Sequence, residues 1–137
     1  MKTIDAKDIR PFFKCFVDIA DATYATPTEA WVTGPMKQKY EKTLQFLELE
    51  TWETWWDCDG FSSLYYCIAQ IIHAQRHSTK AQGQAVGEVW YEQDSGQHHA
   101  INCVITDKRE LKFIEPQGPK WMTLSPKEQK NIYYVRF

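Results

Sequence analysis

The stretch from residue 55 to residue 76 organises this chain, and it opens with Trp55-Trp56-Asp57-Cys58-Asp59-Gly60-Phe61. Apolar side chains then recur at helical spacing, at Leu64, Tyr65, Ile68 and Ile72. This pattern predicts a buried helix that begins close to Cys58 and runs to about Arg76. A cysteine is therefore predicted in the first turn of a buried helix.

Length and composition indicate one domain of ordinary size. The chain has 137 residues, of which 43% are hydrophobic, enough for one core. Its net charge of −2 comes from interspersed acidic and basic side chains, which predicts no surface for nucleic acid or an anionic membrane. No apolar run approaches the roughly 18 residues of a spanning helix, and residues 1–5 lack a signal-peptide core. We therefore expect a cytoplasmic protein, and the sequence is silent on its oligomeric state.

The order of helical and strand patterns predicts the fold class. A helix capped by Asp5 with a kink near Pro11, and a second helix opened by Pro35 and ending near Leu49, precede the central helix. Period-two alternation then predicts strands at residues 86–92, 98–106, 111–115 and 132–137. A capping box at Ser125-Pro126-Lys127-Glu128 predicts a short helix before the last strand.

Helices first and strands second favour an α+β fold. We expect one domain over residues 1–137, with a helical part at about 1–76 and a sheet part at about 84–137. In this arrangement the N-terminal helices pack on one antiparallel sheet. No internal repeat or low-complexity segment interrupts it.

The cysteines do not form a metal motif. Cys15, Cys58, Cys67 and Cys103 lack the short spacing of a zinc site, and a domain of this size needs no disulfides. Three of them lie within apolar stretches and are predicted to be small core residues. Cys58 differs, because its neighbours are Asp57, Asp59 and Gly60. We expect no metal and no organic cofactor.

The position of Cys58 favours a reactive thiol. A helix N-terminus lowers the pKa of a cysteine, and Asp57 as N-cap would place Cys58 in the first turn. The free N–H groups there can also stabilise an oxyanion. A carboxylate at Asp59 would oppose ionisation. We therefore expect both Asp side chains to turn away from the sulfur, and a protonated histidine to favour the thiolate.

Two adjacent histidines compete for the role of base. Strand alternation places His99 on the face of Ile101 and Cys103, which predicts that it points toward the core and His98 toward solvent. A carboxylate at Glu115, one strand later, can hold the histidine in one tautomer.

The register of the predicted hairpin permits this contact. A turn at residues 108–109 would place Ala100 or Asn102 near Glu115, with His99 about one residue off. Gln117 is a second candidate for orienting the ring.

Residues 55–118 resemble two groups of papain-like thiol enzymes. The sequence Asp57-Cys58-Asp59-Gly60-Phe61 is similar to the Asp-Cys-x-Gly-Phe start of NlpC/P60 peptidases, and to the Cys with acidic neighbours of transglutaminase-like cysteine peptidases. In both groups a histidine opens a later strand, as His99 does here. The resemblance implies a papain-like or transglutaminase-like core, with Cys58 as nucleophile, His99 as base and acid, and Glu115 as orienter. Transglutaminase-like enzymes usually have Asp at the last position, and NlpC/P60 peptidases a second His.

Two functions follow as expectations. The first is a thiol hydrolase or acyltransferase that acts on an amide or ester bond of a peptide, a peptidoglycan-like or another amide substrate, with Trp56 and Asp57 in supporting positions. The alternative is a non-catalytic binding or structural protein, part of a phage assembly, that retains a papain-like fold. In that case the tryptophans at positions 52, 55 and 56 would form an interaction surface rather than a cover for the helix entry.

Overall fold

The computed structural model describes residues 1–137, which form five α-helices and nine strands. The helices are α1 (Ala6–Ile9), α2 (Glu29–Trp31), α3 (Lys37–Leu47), α4 (Cys58–Gln75) and α5 (Pro126–Lys130). The strands are β1 (Thr3–Asp5), β2 (Val17–Asp18), β3 (Thr23–Ala25), β4 (Gly83–Gln84), β5 (Val86–Glu92), β6 (His98–Ile105), β7 (Leu111–Glu115), β8 (Lys120–Met122) and β9 (Ile132–Arg136). None of the helices combines the length and the apolar character needed to cross a bilayer.

The strands form two sheets. The larger has six strands in the order β2-β9-β5-β6-β7-β8, and the smaller has three in the order β1-β3-β4. Most neighbours are antiparallel, but β2 runs parallel to β9, and β3 runs parallel to β4. Both sheets are therefore mixed, and each contains strands from the first 25 residues of the chain.

Side chains fill both faces of the larger sheet. Helices α3 and α4 cover one face, where Tyr65 and Ile68 pack against Val104. The N-terminal segment and the small sheet cover the other face, where Ile4 and Tyr24 join the core of β5 and β6. A strand covered on both faces is buried along its length rather than at alternate positions, and β6 is fully buried from Ala100 to Ile105.

The expectation of N-terminal helices packed on a single antiparallel sheet is wrong. The only helical turns before Phe13 are α1 and a 3-10 turn (Arg10–Phe12). The short apolar run around Val17 then forms strand β2 against the chain terminus rather than a second helical turn. Short apolar runs pack equally well as a buried helix or a buried strand, and tertiary pairing decided this one.

Other predicted elements are confirmed with shifted ends. The central helix occupies Cys58–Gln75, and α5 carries the predicted capping box at Ser125 and Glu128. The second predicted helix, which precedes the central one, starts earlier than expected. Thr28 caps α2, and a wide π-helical turn (Val32–Met36) joins α2 to α3. Pro35 lies inside this turn rather than at a helix start. A π turn accommodates the missing N–H and bulky ring that would interrupt a regular helix.

A buried polar network fixes α4 on the sheet. The Asn102 side-chain amide is fully buried and donates to the backbone carbonyls of Ser62 (2.9 Å) and Gly87 (3.1 Å). The Ser62 hydroxyl in turn donates to Glu88 at 3.2 Å. Arg136 donates to the same Glu88 carboxylate at 2.6 Å, so the buried charge has a partner. These contacts set where the first turns of α4 lie along β5 and β6.

The backbone of Arg136 and the side chain of Cys103 lie close to Gly87. A Cβ added there would lie 2.7 Å from the backbone oxygen of Arg136 and 3.0 Å from the sulfur of Cys103. Gly87→Ala should therefore reduce the free energy of unfolding by about 1–3 kcal/mol, measured by urea denaturation. Gly118→Ala is the matched control, because nothing lies within 4 Å of that position. Equal stability of the two variants would contradict the packing described for β5.

Candidate functional site

Cys58 is the first residue of α4, as the sequence predicted. Asp57 occupies the N-cap position with an extended backbone, but its side chain accepts no hydrogen bond from the helix. Asp59 instead accepts from the Gly60 N–H at 3.1 Å. The N–H group of Cys58 is thus not capped by Asp57, and the half-buried sulfur lies at the positive end of an 18-residue helix.

Packing behind Cys58 holds this turn in place. The Trp56 ring lies against Gly60, where an added Cβ would come within 2.7 Å of it, and its ring centroid is 5.3 Å from that of Phe61. The Trp56 indole N–H donates to the Leu49 carbonyl at 2.9 Å. Trp56 therefore covers the entry to the helix. It does not line the cleft at Cys58, although the sequence grouped it with the supporting residues.

His99 contacts Glu115 directly. Its Nε2 lies 2.7 Å from Glu115 Oε2, and the two side chains are 14% and 19% exposed. The second oxygen of Glu115 accepts from the backbone N–H of Gln117 at 3.1 Å. Gln117, the other candidate orienter, thus contributes its backbone to holding the carboxylate. The Tyr40 hydroxyl donates to the Pro116 carbonyl at 2.8 Å and ties the same turn to α3.

The strand register explains why this pair forms. Asn102 pairs with Ile114 and Cys103 with Phe113. The predicted hairpin was one residue out of register, and in the observed one Glu115 and His99 lie diagonally on the same face of the sheet. Diagonal neighbours of this kind are within reach of long side chains. His99 is partly buried and His98 is exposed, as strand alternation predicted.

Electrostatics at His99 favour the imidazolium. Its hydrogen bond to the Cys58 side chain and then its contact with Glu115 raise the pKa of His99 from 6.5 to about 9, against the opposing effect of burial. The ring contacts the Glu115 carboxylate and lines the same cleft as Cys58. Beside it, a hydrogen bond between two carboxyl groups raises the pKa of Asp57, whose partner is Asp59. Both Asp residues line the cleft, and the Asp59 carboxylate accepts from the helix N–H of Gly60, as expected for one of the two.

An open cleft of about 260 Å³ lies over Cys58. Its lining residues are Asp57, Cys58, Asp59, Trp90, His98, His99, Ala100 and Tyr133. His98 Nδ1 lies 2.9 Å from the Tyr133 hydroxyl, with the rings edge to face, so these two exposed residues form one wall. Sequence reasoning missed Trp90 and Tyr133, because both lie in strands whose pairing brings them to the cleft and neither belongs to a local motif.

Of the predicted site residues, Asp57, Cys58, His98 and His99 line one cleft. Glu115 lies behind them, in contact with His99. No group of three or more His, Cys, Asp or Glu side chains is arranged to hold a metal ion. Chemically, the site offers a half-buried thiol, a histidine and carboxylate pair, and uncapped N–H groups in a cleft open to solvent.

Comparisons with known proteins give similarity of fold only. No protein-family model matches the chain, and no curated protein sequence is similar to it. Among solved structures, a PSL1a–E64 complex is similar with a TM-score of 0.74 and 16% identity, over 98% of this chain and 51% of that one. Polyporus squamosus lectin bound to the human-type influenza-binding epitope Neu5Acα2-6Galβ1-4GlcNAc is similar with a TM-score of 0.77 and 15% identity, over 98% and 49%.

These findings correct the expected family. The similar structures are those of a sugar-binding lectin, not of NlpC/P60 or transglutaminase-like peptidases. The expected papain-like core is therefore replaced by a β-rich fold with two sheets that matches lectin chains. The assignment to the hydrolases and thiol proteases, which rested on that resemblance, is wrong on the same grounds. This chain spans about half the length of each of the two similar chains, and what it shares with them is the fold.

Proposed function

We propose that the cleft at Cys58 is a nucleophilic site that transfers an acyl group through its thiol. The observation that supports this proposal most strongly is the 2.7 Å contact of His99 with the Glu115 carboxylate at a cleft that Cys58 also lines. A thiol, an imidazole and an orienting group arranged in this order activate a nucleophile on many unrelated folds. The proposal thus rests on the geometry of three residues and not on a family.

The proposed reaction has two halves. The Cys58 thiolate forms a bond to the carbonyl carbon of an amide or ester, and the oxygen becomes an oxyanion that the Cys58 N–H can stabilise. As the carbon–heteroatom bond breaks, the His99 imidazolium gives its proton to the departing amine or alcohol, which leaves a thioester on Cys58. An acceptor then attacks the thioester, gives its proton to His99 and carries away the acyl group. Glu115 keeps the ring oriented and stabilises its positive charge throughout.

Selective alkylation tests the nucleophile. Cys67 lies on the same helix and is more exposed than Cys58, so it is a matched control for access. We expect iodoacetamide and the epoxide E64 to modify Cys58 on the order of tenfold or more faster than Cys67, as mapped by mass spectrometry at pH 7. His99→Ala should slow the reaction of Cys58 and leave that of Cys67 unchanged. Equal rates at the two cysteines would contradict the proposal.

Acyl transfer itself is tested with a panel of chromogenic esters and fluorogenic amides. Wild-type protein should form an acyl adduct of matching mass on Cys58, and Cys58→Ala should form none. Glu115→Gln should slow acylation on the order of tenfold or more, because the ring loses its orienting charge. Cys67→Ser should behave as the wild type. A panel that acylates Cys67 and Cys58 alike would count against a catalytic role.

The titration of His99 gives a pH-dependent prediction. Ring-proton NMR should show a pKa near 9 in the wild type, and Glu115→Gln and Cys58→Ala should each lower it toward 6.5, because each removes a cause of the shift. A pKa raised in the folded state stabilises the protein fully below the unfolded value of 6.5, and this contribution is lost as the pH rises through 9. Wild-type stability should therefore fall more over this range than that of Glu115→Gln. Identical pH profiles would contradict the ion pair.

A second candidate function is carbohydrate binding without chemistry. The similarity of fold to lectin chains favours it, and so do Trp90 and Tyr133, because aromatic rings at an open cleft provide surfaces on which sugars stack. Glycan binding by the lectin belongs to a chain about twice as long as the shared part, which is why this function is a proposal for the present chain.

Binding of the trisaccharide Neu5Acα2-6Galβ1-4GlcNAc distinguishes the two candidates. If the cleft binds glycans, Tyr133→Ala should weaken the affinity measured by calorimetry several-fold, and Cys58→Ser should leave it unchanged, because a hydroxyl of similar size keeps the surface. Gln117→Ala, an exposed change outside the cleft, is the control. The absence of any heat of binding would exclude this glycan from the cleft.

A further inference from the structure

A buried tyrosine hydroxyl lies behind the turn that follows Glu115. Tyr40 belongs to α3 and is fully buried, and its hydroxyl donates to the Pro116 carbonyl at 2.8 Å. The same hydroxyl lies 3.4 Å from the Phe61 carbonyl, in the first turn of α4. Pro116 follows Glu115 directly, and Phe61 is three residues from Cys58. One hydroxyl therefore contacts the backbone beside both halves of the proposed site.

Packing and burial keep this hydroxyl a donor at a fixed place. The Tyr40 ring lies edge to face against that of Tyr65 in α4, with the two centroids 5.0 Å apart. Burial, and then Tyr65 and Glu115, raise the pKa of Tyr40 above its ordinary value of 10. The phenol thus keeps its proton, and a buried phenol O–H usually has a hydrogen-bond partner.

A single peptide group links the tyrosine to the carboxylate. The Pro116 carbonyl and the Gln117 N–H belong to the same planar peptide unit, so the two move together. Tyr40 holds the carbonyl end, and the N–H end donates to Glu115 Oε1 at 3.1 Å. The other oxygen, Oε2, lies 2.7 Å from His99 Nε2. A rotation of this peptide would withdraw the donor that fixes the carboxylate.

We propose that Tyr40 is a positioning residue for acyl transfer, which acts through the peptide of residues 116–117 to hold the Glu115 carboxylate against His99. This inference rests on the function proposed for Cys58. The hydrogen bonds run in series from hydroxyl to peptide, from peptide to carboxylate and from carboxylate to ring. Hydrogen bonds arranged in this way polarise and orient one another.

The effect of Tyr40 on the imidazole is indirect. The ionisable side chains that face the His99 ring are Glu115 from β7, Cys58 from α4 and Tyr91 from β5. The Tyr91 ring lies edge to face with the imidazole, with centroids 5.9 Å apart. Tyr40 makes no hydrogen bond to the imidazole, so a change in His99 on removal of its hydroxyl must pass through Glu115.

Removal of the hydroxyl tests this role. Tyr40→Phe keeps the ring against Tyr65, and we expect it to lower the pKa of His99 from about 9 toward 6.5 in ring-proton NMR titrations. It should also slow acylation of Cys58 about threefold to tenfold, which is the worth of one hydrogen bond. Replacement of Tyr40 by 4-aminophenylalanine keeps a donor at the same ring position and should restore both quantities.

Tyr24→Phe is the matched control for general destabilisation. Tyr24 is equally buried, and its hydroxyl accepts from the Asp21 N–H at 2.9 Å on the other face of the larger sheet. Its loss should leave the pKa of His99 and the acylation rate at their wild-type values, even where the melting temperature falls.

A double-variant comparison separates positioning from a structural effect. In a Glu115→Gln background, Tyr40→Phe should slow acylation no further, because the carboxylate through which it acts is gone. Equal slowing in both backgrounds, or a pKa of His99 that Tyr40→Phe leaves unchanged, would overturn the role of Tyr40. The titration needs no substrate, so a wild type that no ester or amide acylates would remove the acyl-transfer function and leave the link from Tyr40 to His99 to be decided by the pKa.

Discussion

The contact between Asn102 and the start of α4 fixes where Cys58 lies over the sheet. One carboxamide donates to a helix carbonyl and to a carbonyl of β5, so the helix and two strands are held in a single relation. Glu88 and Arg136 extend this contact to β9, which carries Tyr133. Buried networks with good hydrogen-bond geometry rigidify a core in this way. The position of Cys58 relative to β6 follows from them, and so does the cleft.

This support explains how a pair of groups from distant parts of the chain is held near the sulfur. Glu115 is the last residue of β7, and His99 lies near the start of β6. Their contact depends on the strand register and on the turn at Pro116, which the Tyr40 hydroxyl anchors. Each half of the site thus has its own anchor, a polar network under α4 and a tyrosine hydroxyl under the turn. A site built on helix and strand ends that are packed from behind keeps its geometry better than one built on a loop.

The sequence predicted the parts of this protein that depend on local pattern. The start of α4 at Cys58, the strands around His99 and Glu115 and the capping box at Ser125 all carry signals within a few residues. What it did not predict depends on pairing between distant segments. Val17 becomes a strand because the C-terminus lies beside it. The small sheet forms because β4 returns to β3, and Trp90 and Tyr133 meet at the cleft through strand order. A short cysteine motif followed by a histidine and an acid in the expected order also proved insufficient to assign a family, which the comparison of whole folds corrected.

The lengths of the outermost strands of the larger sheet have a consequence for behaviour at high concentration. That sheet ends in β2, with two residues, and β8, with three, whereas its inner strands reach eight. Long unpaired strand borders recruit other chains into intermolecular ladders, and very short ones offer too few backbone groups to do so. With both broad faces already covered, the molecule presents no extended template for fibril-like growth from this sheet.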